Sequence, residues 1–574
     1  MQKTKPIPMT YLLDMVHHNP GEPPFESAFR DPSHIADYGY NGQVFKHINC
    51  IATYAATGVD CFPAGSPERA WLDEFTPGIE EEIAAAKAAG LMVFYHIDLF
   101  VLPKRLVEHF REEICDPIHG RVLLDRPRTL DLHRVLFDEL CARFPDVDGY
   151  IIRVGETYLM DTPFHVGNGP IPRVGPAWTP DYLYRETLTG APVDEDRWTP
   201  GQVDAYVSLI GFLRQELCEK HGKQVFFRTW DIFPDKLHAC LDHYLEVTDR
   251  IEPHPKLAFS IKHTALDFWR HVKFNECLTR GKHPQIVEVQ CQREYEGKGA
   301  YPNYVMHGVI DGFDENRLRM GLKDILGNPQ IIGIYSWSRG GGWYGPYITK
   351  ELWPDLNAFV LARYCMDPSR GEQAIFDEYA SKKLGLVGHD VVRFRQICLL
   401  SSDAILKGRH CEAFDRLLGE SLLPTACWMR DDRLGGMEQL GWVIETLSRS
   451  DGLDEALEEK AEAVRIWEQI VRIAGSIQWP SGDDGEFVRI SSEYGLRLFR
   501  IVHQGWRVMI EGYRGKDAEA LADALRCYDD AWADYRKLSA SPLCPSLYGG
   551  SYFNLPGLPA VKGLDDSVAQ YKNP

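Results

Sequence analysis

Residues 287–297, Val-Glu-Val-Gln-Cys-Gln-Arg-Glu-Tyr-Glu-Gly, open as an apolar strand and end in polar residues, with carboxylates at Glu288, Glu294 and Glu296 and amides at Gln290 and Gln292. An extended backbone alternates its side chains between two faces, so Glu288, Gln290 and Gln292 share one side. This segment alone fits either a half-solvated edge strand or a row of polar groups facing a pocket. The chain around it decides between the two.

Seven further apolar runs read as strands, at 11–16, 58–62, 91–98, 149–154, 224–229, 257–261 and 331–337, and 286–290 belongs to the quoted stretch. Helical patterns stand between most of them, as at 79–89, 203–221 and 315–326. Strand and helix alternating eight times over roughly 350 residues fits a (β/α)8 barrel better than an open doubly wound sheet. No Gly-x-Gly-x-x-Gly follows a strand, which argues against a dinucleotide fold. Beyond about residue 353 the texture becomes helical, with amphipathic spacing over 372–383, 391–406, 435–447, 454–476, 488–514 and 517–538. The expected organisation is an α/β protein, a barrel over 1–350 followed by an all-helical domain over 351–574. Support or dimerisation is the expected role of the second part.

Composition narrows the function. The 574 residues carry 83 acidic and 63 basic side chains, a net charge of −20, and no basic stripe, which speaks against nucleic acid or an anionic membrane as partner. The 14 cysteines are scattered with no Cys-x-x-Cys pair, as expected of reduced core thiols. The first residues lack the apolar stretch and cleavage site of a secretory signal, and no segment has the apolar length of a membrane span, so a cytoplasmic location is expected.

Polar residues gather where the strands end: Asp14, His17, His18 and Asn19; His96 and Asp98; Arg153 and Glu156; Arg228, Trp230 and Asp231; Lys262, His263 and Asp267; Ser336, Trp337 and Arg339. In a barrel these ends meet at one mouth, where active sites sit. There is no His-x-His at a strand end, no His-Glu-x-x-His, no Cys/His cluster, no Gly-x-Ser-x-Gly elbow and no phosphate-cradling Gly loop, so neither a bound metal nor a cofactor is expected. Carboxylates, guanidinium groups, amides and tryptophans remain, the inventory of a sugar pocket with an oligosaccharide as partner. Cleaving a glycosidic bond requires one protonated carboxyl group for the leaving oxygen and an ionised one to activate water or to attack. Glu156, Asp267 and Glu288, on three strands, could flank one bond. Arg153, Arg228 and Lys262 fit either an anionic substrate or charge balance for those carboxylates.

Five stretches carry a resemblance: Gly-Tyr-Ile-Ile-Arg-Val-Gly-Glu at 149–156, Phe-Arg-Thr-Trp-Asp-Ile-Phe-Pro-Asp-Lys at 227–236, Ile-Lys-His-Thr-Ala-Leu-Asp-Phe at 261–268, 288–295 of the opening stretch, and Leu-Asn-Ala-Phe-Val-Leu-Ala-Arg-Tyr-Cys-Met-Asp-Pro at 356–368. In order and spacing, over roughly 145–385, they resemble the catalytic half of the α-glucuronidases of glycoside hydrolase family 67. The resemblance implies Glu156 as general acid, Asp267 and Glu288 as base-side carboxylates, Arg228 as the clamp on the uronate carboxylate with Lys262 as helper, and a dimer through the helical domain. Arg153, Gln290, Trp337 and His17 complete the expected substrate-binding set. The chain also departs from the family. It starts almost at its first barrel strand, so the family's N-terminal β-rich domain is expected to be missing. Arg153 lies three residues before Glu156, where the family's lysine lies four before its acid, and the loop after Glu156 is longer. The expected activity is exo-acting release of an α-linked glucuronic acid with inversion. The alternatives are an exo-glycosidase for another sugar, a catalytically silent carbohydrate-binding barrel, and a metal-dependent sugar isomerase.

Overall fold

The structure is a computed structural model that describes the chain except residues 1–8, 19–21, 118–119, 155–156, 160, 168–169, 172–199, 231–236, 317, 342–344, 419–436, 481, 551–563 and 573–574. Eight parallel strands close into a barrel in sequence order: β1 (Tyr11–Val16), β2 (Gly42–Lys46), β3 (Met92–Asp98), β4 (Gly149–Arg153), β5 (Gln224–Arg228), β6 (Leu257–Lys262), β7 (Gln285–Gln290) and β8 (Ile331–Arg339), with β8 returning to β1. The closing register pairs Leu13 with Tyr335 and Met15 with Trp337. Close strand approach sets one requirement on sequence: a Cβ at Gly149 would lie 2.1 Å from the Gln224 carbonyl oxygen, so β4 can meet β5 only with glycine there.

Seven of the eight expected strands are present, and the second is a correction. The run 58–62 is turn and bend, while the true β2 is Gly-Gln-Val-Phe-Lys. Its weak signal has a physical cause. Gly42 is needed because a Cβ would stand 2.5 Å from Leu13 Cδ2, and Gln43 lies among the helices, donating to the Phe29 and Arg30 carbonyl oxygens at 3.3 Å. With Lys46, three of five positions are therefore not the β-branched or aromatic residues that mark strands. The helix expected at 79–89 starts much earlier, as α1 (Pro67–Ala88), because Ser66 caps it through Arg69 N and Pro67 sits in its first turn. The helix expected at 315–326 shrinks to Leu322–Ile325, started by the Asp324 carboxylate reaching back to Gly321 N at 2.9 Å.

Two apolar layers hold the barrel. Inside it, Leu13, Met15, Val44, Phe94, Ile151, Phe226, Ala258, Ile286, Tyr335 and Trp337 pack as one plug, each large side chain contributing roughly 1.5–3 kcal/mol by leaving water. Outside, the other strand face packs on the surrounding helices. After β8, α2 (Leu352–Met366) packs against the barrel: Asn357 Nδ2 donates to the Cys291 and Asn303 carbonyl oxygens at 3.0 and 3.1 Å, and the Tyr40 hydroxyl donates to Ala358 O at 3.1 Å. The described chain beyond is helical, dominated by α3 (His389–Arg409), α4 (Leu453–Ser476), α5 (Asp483–Arg514) and α6 (Ala518–Arg536). Along α5 the buried Phe487, Val488, Ser491, Tyr494, Leu498, Phe499, Val502, Trp506 and Met509 recur at three- and four-residue steps, the spacing of one helix face. No described helix is long and apolar enough to cross a membrane.

Candidate active site

Strand alternation builds the mouth. The inward rows that begin in the apolar plug continue upward as His17 on β1, Lys46 on β2, His96 and Asp98 on β3, Arg153 on β4, Arg228 on β5, Ser260 and Lys262 on β6, Glu288 and Gln290 on β7, and Trp337 on β8. Asp14 belongs to the opposite, outward row, where its carboxylate accepts from Ser338 Oγ at 2.7 Å and Ser338 N at 3.2 Å. Burial pushes its pKa up to about 7, against those hydrogen bonds.

On the β5–β7 side the charges close on one another. Arg228 Nε donates to both Glu288 oxygens at 2.9 and 3.0 Å, and Ser260 Oγ adds 2.7 Å to Oε1. Arg228 is 1 % and Glu288 0 % exposed. Burial opposes the Arg228 charge, yet the Glu288 carboxylate outweighs it and holds the guanidinium pKa above its usual value. Arg228 Nη1 has no hydrogen-bond partner among the described residues. One strand away Lys262 pairs with Asp267 Oδ1 while its ammonium lies 3.5 Å from the Trp230 ring centre, a cation–π contact. The Tyr295 hydroxyl donates to Asp267 Oδ2 at 3.0 Å. Asp267 keeps 20 % of its side chain exposed, unlike Glu288. Trp337 connects the two sides: the Arg228 guanidinium stands 5.1 Å from its ring centre and His17 stacks on it at 5.6 Å with an 11° interplanar angle.

The β1–β4 side is a recess. Lys46, His96, Asp98 and Arg153 line it, with His17 and His47 at its edges and Asp161 on the rim. Arg153 binds Asp98 through two nitrogens, Nη2 to Oδ2 at 2.6 Å and Nε to Oδ1. Burial lowers the pKa of Lys46, and the Arg153 charge lowers it further. Burial likewise holds His17 and His96 well below the usual imidazole range, helped for His17 first by Lys46 and for His96 first by Arg153. Both imidazoles are therefore neutral at pH 7.

The helical region braces the β7 side. Arg409 of α3 donates through Nη1 to the Tyr295 carbonyl oxygen at 2.6 Å, through Nε to the Tyr301 hydroxyl at 2.9 Å and through Nη2 to the Tyr548 hydroxyl at 2.8 Å. Glu296 has left the surface entirely: it is 0 % exposed and held by Arg270 and Arg293, whose charges outweigh the burial that opposes it and keep its carboxyl well below the usual range. Gln290 and Gln292 also turn to the backbone. Gln290 donates to Gly340 O at 3.4 Å and accepts from Glu294 N at 2.9 Å, and Gln292 donates to Lys298 O at 2.8 Å.

Of the residues expected from sequence, the structure thus brings together Arg228 with Glu288, Lys262 with Asp267, and Trp337 with His17. Arg153 joins Asp98 on the other side, and Gln290 is engaged by backbone below the opening. Glu156 and Asp231 lie outside the described residues. Lys46 and His47 are the residues that sequence reasoning missed, because β2 was sought at 58–62; the signal that finds them is the short Gly-Gln-Val-Phe-Lys alternation, which sets Lys46 two positions above the inward Val44.

A closed eight-stranded parallel barrel with a helical C-terminal region, carrying paired carboxylates and cations at its C-terminal mouth, defines the class. No family model and no curated protein matches the chain. Solved structures do. A GH138 enzyme targeting pectin rhamnogalacturonan II aligns over 99 % of this chain and 83 % of its own with a TM-score of 0.54 and 12 % identity, which establishes the shared fold. An O-GlcNAc hydrolase mutant from Thermobaculum terrenum aligns over 98 % and 93 % at 10 % identity with a TM-score of 0.41. These structural neighbours are glycoside hydrolases.

Proposed function

We propose that the chain is an exo-acting glycoside hydrolase that removes an acidic sugar, an α-linked glucuronic acid, from an oligosaccharide. The observation that carries this reading is the set of three carboxylate–cation pairs, Asp98–Arg153, Glu288–Arg228 and Asp267–Lys262, drawn from five neighbouring strand ends around the Trp337–His17 stack. A sugar binds by its apolar face to an aromatic ring and by its polar edge to such groups. The ordered motifs shared with the family 67 α-glucuronidases and the fold held in common with a glycoside hydrolase support the same reading.

In the proposed mechanism Glu156 gives its proton to the glycosidic oxygen as the bond from that oxygen to the anomeric carbon breaks. Water attacks the anomeric carbon from the other face and passes its proton to Asp267, giving inversion. Asp267 takes this role over Glu288 because it retains solvent access, while Glu288 holds Arg228 beneath the ring. The test is release of free uronic acid from aldouronic oligosaccharides, followed by anion-exchange chromatography. Wild type is expected to release it, and Glu156→Gln and Asp267→Asn to slow release by roughly 10²–10⁴-fold. Wild-type rates in both variants would remove the assignment. A neutral sugar is the second reading, favoured by the fact that Arg153, Arg228 and Lys262 each already has a carboxylate partner.

A further inference from the structure

We propose that His96 is a sugar-binding residue whose Nε2 accepts a hydrogen bond from a ring hydroxyl of the substrate in the recess between β1 and β4, and that Tyr335 and Met15 fix the imidazole in the tautomer this requires. The proposal deepens the reading of the chain as a glycoside hydrolase and rests on it. It assigns the recess to a hydroxyl, a group with a proton to give.

Placement is the first argument. His96 lies two positions above Phe94 in the inward row of β3, lines the recess and is buried. Its Nδ1 lies 3.3 Å from the hydroxyl of Tyr335 on β8, and its buried Nε2 has no hydrogen-bond partner among the described residues. The tautomer is the second argument. Tyr335 Oη stands 2.8 Å from Met15 Sδ. A thioether sulfur carries no proton, so the single phenolic proton must lie between these two atoms for that approach to be attractive. The Tyr335 oxygen is then left to accept, His96 Nδ1 donates to it, and Nε2 is a bare lone pair. The charge state is the third. Burial, and after it the Arg153 and Arg228 charges, hold the imidazole well below its usual range, so at pH 7 Nε2 is neutral and weakly basic. It takes a hydrogen bond without taking the proton. A carboxylate offers this atom only further lone pairs, whereas a sugar hydroxyl donates to it. The same mouth holds two buried nitrogens of the opposite kind, Arg228 Nη1 and Trp337 Nε1, which can only donate and have no partner among the described residues. Together the three atoms match a ligand that both gives and accepts hydrogen bonds, as a hydroxyl-bearing ring does.

The experiment measures kcat/KM for aryl α-glucuronides and α-glucosides, intact and lacking one ring hydroxyl at a time, with wild type, His96→Leu, His96→Gln and Tyr335→Phe. Nitrogen-15 spectra of the histidine-labelled proteins report the imidazole tautomer. In wild type, loss of one particular hydroxyl should lower kcat/KM roughly 5- to 100-fold, the equivalent of about 1–3 kcal/mol for a buried acceptor left unpaired. His96→Leu should lose a similar factor on the intact substrate and show no further loss with that deoxy glycoside. His96→Gln, which carries an acceptor oxygen, should recover part of the intact-substrate rate. Tyr335→Phe removes the oxygen that holds Nδ1–H, so the hydroxyl penalty should shrink and the His96 signal should change from the Nδ1–H form to a mixture. An Nε2–H tautomer in wild type, or the same deoxy penalties in wild type and His96→Leu, would overturn the proposal. Where His96→Leu does not fold, the wild-type penalties and Tyr335→Phe decide in its place. If wild type cleaves none of the glycosides, calorimetric binding of free glucuronate, glucose and their deoxy forms decides: a hydroxyl penalty that depends on His96 keeps the subsite and removes the hydrolase reading, and no binding overturns the subsite. Cleavage with no hydroxyl penalty overturns the subsite and keeps the hydrolase.

Discussion

The two sides of the barrel mouth are made by the same strand alternation and end in opposite states. On the β5–β7 side cation and carboxylate rise at neighbouring heights and neutralise one another, Arg228 against Glu288 and Lys262 against Asp267. On the β1–β4 side one such pair, Arg153–Asp98, stands among a lysine and neutral imidazoles, and a recess remains. Strand-end charges thus close into a wall where Glu288 reaches across β6 to Arg228 and Lys262 folds onto Asp267 of its own loop, and leave a recess where the pair is made by the neighbouring strands of Asp98 and Arg153.

The largest expected effect falls on the wall. Asp267→Asn should reduce turnover by roughly 10²–10⁴-fold with the far-UV spectrum and melting unchanged, and an undiminished rate would remove Asp267 from the chemistry. Next comes stability. Arg228→Met strips Glu288 of its partner and should cost about 3–5 kcal/mol in urea unfolding, whereas the double variant with Glu288→Gln should recover much of that, since both charges have gone. Equal losses in single and double variants would mean that the pair is not what holds the wall.

Asp14 offers a comparison with a buried acid outside the mouth. Its pKa of about 7 in the fold, against 3.8, means the native state holds a proton that the unfolded chain releases above pH 4. Its contribution to stability is therefore complete below that value and is lost as pH rises through about 7. Asp14→Asn should leave melting unchanged near pH 4 and raise stability by roughly 4 kcal/mol at pH 8, a difference that thermal scans at the two pH values resolve. The smallest effect is expected at Tyr295→Phe, which removes one hydrogen bond from Asp267. Loss of that bond should slow kcat roughly tenfold with KM unchanged, since a hydrogen bond to a charged group is worth about 1.5–3 kcal/mol. Arg409→Lys, acting through the Tyr295 carbonyl, should slow kcat less. An unchanged kcat in both variants would show that the helical region supports the wall without positioning Asp267.

Seven strands are legible in the sequence because each carries a run of β-branched or aromatic residues, as in Gly149–Arg153 and Gln224–Arg228. The long helices of the second half announce themselves by spacing alone. β2 escapes, since its glycine and glutamine serve close packing and helix carbonyls, and with it goes Lys46. The boundary drawn at residue 350 follows composition, and it separates β8 from α2, a helix that packs on the barrel. Glu296 shows a further limit: a Glu in a polar run gives no sign that Arg270, 26 residues earlier, will bury it. Pairing across strands is a property of the closed barrel, which is why the sequence leaves open whether Arg153, Arg228 and Lys262 serve a substrate or a carboxylate.

The central claim is that this mouth hydrolyses a glycosidic bond to an acidic sugar with inversion. A proton NMR time course of wild-type protein with an α-linked glucuronosyl oligosaccharide tests it most directly. Free glucuronic acid appearing first as its β anomer, and then relaxing to the anomeric mixture, is the predicted result. No free uronic acid, with neutral glycosides cleaved under the same conditions, or α anomer formed first, would contradict it.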